Sequence, residues 1–217
     1  MDNISLYEDI KARTGGEIYL GVVGPVRTGK STFIRRFMDL CVIPSILDPN
    51  EKKRIIDELP QAGVGKTVMT TEPKFIPKTG IEIPLSNNVK AKFRLIDCVG
   101  YIVDSAQGVY EDDKERLVKT PWFDENIPFS KAAQTGTEKV IRDHSTIGIV
   151  MTTDGSIGEF TRDDYISAEE KAIMELKKIK KPFIVIVNST FPASDFTRKI
   201  ANEISEKYEV TACLLYT

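Results

Sequence analysis

An α/β layered fold on a mostly parallel central sheet, closed by an antiparallel edge strand, is what the sequence predicts. Two patterns carry that prediction. Short, continuous apolar runs alternate with stretches of helical periodicity, and the runs are bounded by Gly, Pro or Asp. The size agrees, because 217 residues of which 41% are hydrophobic and 29% charged can bury one full core.

The elements follow in chain order. Ser5 to Thr14 is a short amphipathic stretch stopped by Gly15-Gly16. Ile18-Tyr19-Leu20-Gly21-Val22-Val23 is apolar throughout and too short for a helix, as a strand buried on both faces should be. A glycine-rich turn from Gly24 to Gly29 leads into Phe33, Ile34, Phe37, Met38 and Cys41 at helical spacing, so this unit reads strand, loop, helix. Asp48 as N-cap and Pro49 as first helical residue open a helix from Pro49 to Leu59. Gln61 to Thr71 lacks periodicity and reads as a mobile loop. Lys74-Phe75-Ile76-Pro77 and Ile81-Glu82-Ile83 predict edge strands around a Lys78-Thr79-Gly80 turn, with proline where edges tolerate it. Strands from Ala91 to Asp97 and from Ile147 to Met151 are separated by a long irregular stretch, 101–137. The box Ser167-Ala168-Glu169-Glu170 opens a helix running to about Lys180, stopped by Lys181-Pro182. Phe183 to Val187 is a buried strand, Asp195 to Lys207 a helix, and Val210 to Tyr216 a last strand. The expectation is one domain over 1–217, with insertions near 43–71 and 101–137.

Composition removes several classes of function. Thirty basic against 32 acidic side chains leave a net charge of −2, which gives no footprint for nucleic acid. The apolar runs are strand-sized, far below the roughly 20 residues of a membrane span. The start, Met1-Asp2-Asn3 with Glu8 and Asp9, has neither the basic nor the apolar region of a secretory signal, so the cytosol is expected. Cys41, Cys98 and Cys213 form no CxxC pair and are expected as buried, reduced thiols. His144 is the single histidine, too little for a zinc site or a Ser-His-Asp triad.

Chemistry concentrates in one loop. Gly24-Pro25-Val26-Arg27-Thr28-Gly29-Lys30-Ser31, followed by Thr32, matches G-x-x-x-x-G-K-[ST] in full, with an apolar strand before it and a helix after it. Glycines let such a loop curl until its backbone N–H groups point inward, where the open donors of the helix start add to the attraction for phosphate. Lys30 is predicted to reach the β and γ phosphates and Ser31 to ligate Mg²⁺. Gly63-Val64-Gly65-Lys66-Thr67 imitates only the end of this motif, because Pro60 stands where its first glycine is needed.

Five further residues complete the candidate set. Asp97 ends an apolar strand and is followed by Cys98-Val99-Gly100, so its carboxylate can hold Mg²⁺ through water and the Gly100 N–H can sense the γ-phosphate. Thr70 and Thr71 lie between loop and aspartate, where nucleotide switches place a threonine on Mg²⁺ and γ-phosphate; which of the two is the ligand stays open. Asn188 keeps the first position of the guanine-reading N-K-x-D pattern. Ser189 replaces its lysine, however, and Phe191 its aspartate. Guanine donors buried without that carboxylate cost about 1–3 kcal/mol each, which predicts adenine. Tyr101 stands where small GTPases carry a water-positioning glutamine, and a phenol cannot present both a donor and a carbonyl acceptor. Slow hydrolysis is expected unless Arg27, Gln107, the 101–137 insertion or a neighbouring subunit completes the site.

With Gly-Pro-Val-Arg-Thr-Gly-Lys-Ser-Thr at 24–32, Met-Thr-Thr-Glu-Pro at 69–73, Asp-Cys-Val-Gly-Tyr at 97–101 and Thr-Asp-Gly-Ser-Ile-Gly at 153–158, essentially the whole chain resembles the N-terminal nucleotide-binding domain of the stage IV sporulation protein A family. These are spore-coat morphogenetic ATPases of endospore-forming bacteria. The resemblance implies a P-loop NTPase three-layer fold of the translation-factor-related GTPase type, shifted to ATP. It makes Lys30 the Walker A lysine, Asp97 the Walker B-type aspartate, and Thr70 and Thr71 the sensor threonines, with ATP and Mg²⁺ as cofactors. It implies hydrolysis that lets the protein polymerise on itself into a static basement layer under the spore coat, in the mother-cell cytoplasm at the forespore surface. Other coat proteins and a small amphipathic peptide on the forespore membrane would be met through domains beyond Thr217, which this chain lacks. Two other readings stay open: a nucleotide-gated assembly module with incidental turnover, and a regulatory GTPase, against which Phe191 argues.

Overall fold

The computed structural model describes residues 16–60, 72–86, 89–103, 106, 109–111, 114–158 and 160–216. In chain order these form β1 (Glu17–Val23), α1 (Lys30–Phe37), α2 (Pro49–Glu58), β2 (Lys74–Ser86), β3 (Val89–Asp97), β4 (Tyr110–Glu111), β5 (Lys114–Glu115), β6 (Leu117–Thr120), β7 (Phe123–Pro128), α3 (Phe129–Lys139), β8 (Ile147–Thr153), α4 (Arg162–Lys178), β9 (Phe183–Asn188), α5 (Asp195–Tyr208) and β10 (Ala212–Leu214). The predicted stretch Ser5 to Thr14 and loop 61–71 lie outside the described residues.

Six strands build the main sheet in the order β10-β9-β8-β1-β3-β2. Every neighbouring pair is parallel except β2 with β3, which is the predicted antiparallel edge. Side-chain alternation splits the core between the two faces. Ile18, Leu20 and Val22 of β1 pack with Ile34, Met38 and Ile55 beneath α1 and α2. On the other face Val23, Val150, Val185 and Val187 meet Phe129 and Ala133 of α3, Tyr165 and Ile173 of α4, and Ile200 and Ile204 of α5. The result is three layers. Because β1 has β3 on one side and β8 on the other, the chain order reverses at its carboxyl end, the place where open α/β sheets bind their ligands.

Several boundaries follow from local chemistry. Asp48 Oδ1 accepts from the Asn50 N–H at 2.9 Å, the cap expected from Asp-Pro. β2 is one strand where two short ones are predicted; it pairs with β3 on both sides of a register shift between Ile76 and Ile81, so the intervening turn is an irregularity within it. α4 begins at Arg162, ahead of the predicted Ser167 box, because Asp164 Oδ2 accepts from the Thr161 N–H at 2.7 Å and from its hydroxyl at 2.8 Å. Ser167 to Glu170 therefore lie inside the helix.

The stretch 101–137 is not irregular throughout. It contains the β4–β5 pair, the β6–β7 pair and α3. The buried side of α3 is Phe129, Ala132, Ala133, Gly136 and Thr137, small side chains that give little hydrophobic periodicity in sequence while allowing close packing. The last strand is also shorter than predicted. Of the cysteines only Cys98 is buried, and Cys41 and Cys213 are exposed, since each sits on the solvent side of an otherwise apolar stretch.

Candidate functional site

The loop leaving β1 carries its conformation in two left-handed residues, Arg27 at φ 64° and Gly29 at φ 87°. Gly29 is the N-cap of α1, and a Cβ there would lie 2.5 Å from Asn188 Nδ2. That nitrogen donates to the Thr28 carbonyl at 3.1 Å, so Asn188 braces the loop from the end of β9. Within the loop, Lys30 Nζ at 2.5 Å and Thr28 Oγ1 at 3.0 Å both donate to the Pro25 carbonyl. Burial pulls the Lys30 ammonium below the usual lysine range, against the pull of Cys98 and Asp97. α1 has no side-chain cap and no acidic residue in its first turn, which leaves its N-terminal donors directed at whatever the loop encloses.

Asp97 ends β3 in register with Val22 of β1. Its Oδ2 accepts from the Ser31 hydroxyl at 2.7 Å, whereas Oδ1 is enclosed and has no partner among the described residues. Burial raises the Asp97 carboxyl, and the Ser31 bond and the Lys30 charge oppose the rise. Magnesium is commonly held by one or two carboxylates together with substrate phosphates. An orphaned carboxylate oxygen beside a hydroxyl, at the mouth of a phosphate-type loop, fits that ion.

Gly100 brings the following segment against the loop. At its φ of 97° a Cβ would lie 2.2 Å from the Gly24 carbonyl oxygen and 2.6 Å from Lys30 Nζ. Tyr101 then donates its N–H to Gly24 O at 3.0 Å and accepts from the Val26 N–H at 2.9 Å, a short parallel bridge. The Tyr101 ring, at the position where small GTPases carry the water-positioning glutamine, points away from the loop's mouth into the core. It is sealed among apolar side chains with Lys171 Nζ 4.8 Å from its centre, and burial raises its phenol. The main chain of Tyr101 is part of the site and its side chain is part of the core.

Thr70, Thr71, Gln107 and the 63–67 imitation all lie outside the described residues. One group at the site has no counterpart among the predicted residues. Asp154, just past β8, is buried; its Oδ2 accepts from Ser189 at 2.5 Å and Thr197 at 2.7 Å, and its Oδ1 from the Ser156 N–H at 2.9 Å and hydroxyl at 2.6 Å. Burial acts to raise this carboxyl, but the bonds from Ser156, Ser189 and Thr197 outweigh it and hold the pKa below the usual range. The sequence signal was present in Asp154-Gly155-Ser156 directly after a buried strand. Ser189 is thus turned inward, while Phe191 stands 70% exposed.

A loop that leaves helix donors open, a lysine folded into it and an aspartate on the adjacent strand place the chain among P-loop nucleoside triphosphatases. The fold agrees: a crystal structure of an Aquifex aeolicus Era variant bound to GDP·AlF4− superposes with a TM-score of 0.50 at 16% identity, covering 92% of this chain and 51% of that one. The family model for the ATPase domain of stage IV sporulation protein A matches residues 1–216, and the chain belongs to that family. It is 56% identical over 208 residues to stage IV sporulation protein A of Clostridioides difficile (strain 630) and 51% identical over 210 residues to that of Bacillus subtilis (strain 168). These alignments cover 96% and 97% of this chain, which spans 42% and 43% of the length of the two relatives. No described helix is long and apolar enough to cross a membrane.

Proposed function

We propose that this domain is a Mg²⁺-dependent ATPase whose turnover drives self-assembly into the basement layer of the spore coat, in the mother-cell cytoplasm at the forespore surface. The observation that carries the reading is the Lys30 amine, buried and 2.5 Å from the Pro25 carbonyl, below an uncapped helix start. On ATP binding that amine exchanges the carbonyl for the β and γ phosphates. Ser31 and Asp97 would hold Mg²⁺, with Thr70 or Thr71 completing the set. The ion, when bound, neutralises charge on the β and γ phosphates. Gly24 to Thr32 supply backbone donors, Asn188 keeps the loop in place, and the Gly100 N–H reports the γ-phosphate. Adenine is supported because the Asp154 carboxylate is already engaged by three side-chain hydroxyls and Phe191 offers no acceptor to guanine. Self-contacts build the homopolymer; other coat proteins and a forespore-membrane peptide are its further partners.

Phosphate release from ATP and GTP, with Mg²⁺ and with EDTA, tests this directly. Turnover of ATP that needs Mg²⁺ and vanishes in Lys30→Ala is expected; equal release by that variant refutes the reading. A second reading, assembly gated by nucleotide with incidental turnover, is favoured by the burial of the Tyr101 side chain. Sedimentation decides between them, since polymer formed equally with a non-hydrolysable ATP analogue selects the second.

A further inference from the structure

Phosphoryl transfer is helped by a cation that stabilises charge as the γ-phosphoryl leaves, and the Tyr101 side chain, turned into the core, adds nothing at the site. Cations at this end of the sheet differ in how far they are committed. Lys30 is bonded to Pro25, and Arg162 is held by Glu169 through two bonds of 2.6 and 2.8 Å while also reaching Thr152 at 3.2 Å. Arg27 is different. Its Nη2 is enclosed by protein and has no hydrogen-bond partner among the described residues. A guanidinium cannot shed its charge to relieve that situation. Its backbone is also held left-handed at φ 64°, a conformation that glycine takes freely and arginine resists. The loop on either side is pinned, by Thr28 Oγ1 and Lys30 Nζ on Pro25 O and by Asn188 on Thr28 O. A strained backbone on the phosphate loop and a guanidinium nitrogen that is enclosed without a partner among the described residues, its charge felt by Tyr165 of α4, together indicate that the missing acceptor is the substrate.

We propose that Arg27 is a catalytic residue of hydrolysis, donating to the γ-phosphoryl group and the β–γ bridging oxygen of the nucleotide bound by its own chain. The inference rests on the ATPase reading above. In the step it serves, a water oxygen bonds to the γ-phosphorus, and the bond from that phosphorus to the bridging oxygen breaks with its electron pair leaving on ADP. The water proton passes to the released phosphate or to solvent. The Arg27 guanidinium binds the charge that grows on the bridging oxygen, which is greater in the transition state than in bound ATP.

Arg27→Gly is the decisive variant because glycine accepts φ 64° without strain, so loss of function cannot be assigned to misfolding. The variant is expected to keep the melting temperature or raise it, to bind Mg·ATP within about fivefold of wild type, and to lose about 10²–10³-fold in kcat. Binding of ADP with aluminium fluoride, which mimics the transferring phosphoryl group, should fall by a similar factor. Arg27→Lys should recover less than a tenth of the activity, since an ammonium is a point charge without the planar fork. Turnover by Arg27→Gly within threefold of wild type overturns the inference, as does a loss confined to ATP affinity. Wild-type protein that releases no phosphate would instead overturn the ATPase reading and this inference with it.

Discussion

Gly100→Ala should dislodge the Asp97–Gly100 segment from the phosphate loop. The new methyl carbon would sit 2.2 Å from the Gly24 carbonyl oxygen, a main-chain atom that can retreat only by moving the loop. Retreat breaks the two bonds that join Tyr101 to Gly24 and Val26, worth about 1 kcal/mol each. The φ of 97° adds strain of about 1–3 kcal/mol for any residue with a side chain. The total is about 3–5 kcal/mol, a large share of the roughly 5–15 kcal/mol that holds a domain folded. In urea, with a slope of about 1–3 kcal/mol/M, the midpoint should fall by about 1–5 M. Gly158→Ala is the control: its φ of 83° carries comparable backbone strain, but its Cβ would meet nothing within 4 Å. Equilibrium unfolding of the two variants side by side, followed by calorimetric titration with Mg·ATP, reads both effects. If Gly100→Ala were no less stable than Gly158→Ala and bound ATP equally well, the packing of this segment against the loop would be wrong.

Two other substitutions separate charge from packing. Lys30→Met keeps the volume and removes a buried ammonium, so the nucleotide-free variant should be at least as stable as wild type yet show no thermal shift with ATP. Because the Lys30 pKa is lowered in the fold, the wild type gains stability as pH rises from that lowered value towards the unfolded value of about 10.4, and the variant should lack this gain; urea midpoints across that window measure it. Asp154→Asn should cost about 2–4 kcal/mol, since hydrogen bonds to a charged acceptor are worth about 1.5–3 kcal/mol each and the amide retains one acceptor. The lowered pKa makes the Asp154 contribution complete above about pH 3.9 and lost as pH falls through the folded value, so the gap between wild type and variant should close in acid unfolding curves.

The buried strands along the chain and the phosphate loop were legible because both are written in local pattern. Apolar runs such as Ile18 to Val23 have no other use at that length, and the spacing from Gly24 to Ser31 is a chemical requirement. What was not legible depends on contacts between distant residues or on weak apolar contrast. α3 buries alanine, glycine and threonine beside a single Phe129, so its periodicity is faint. β7 shows Asp124, Glu125 and Asn126 to solvent and, among the described residues, pairs only with its neighbour β6. Asp154 becomes a pin only when Ser189 and Thr197, 35 and 43 residues away, fold over it. The direction of the Tyr101 ring is likewise set by packing against helices whose positions no short motif encodes.

Asn188 from one flank and the Tyr101 main chain from the other grip the same short turn. A turn clamped on two sides works as an anvil and holds its shape under load. Any movement that accompanies a bound ligand then falls to elements outside this turn.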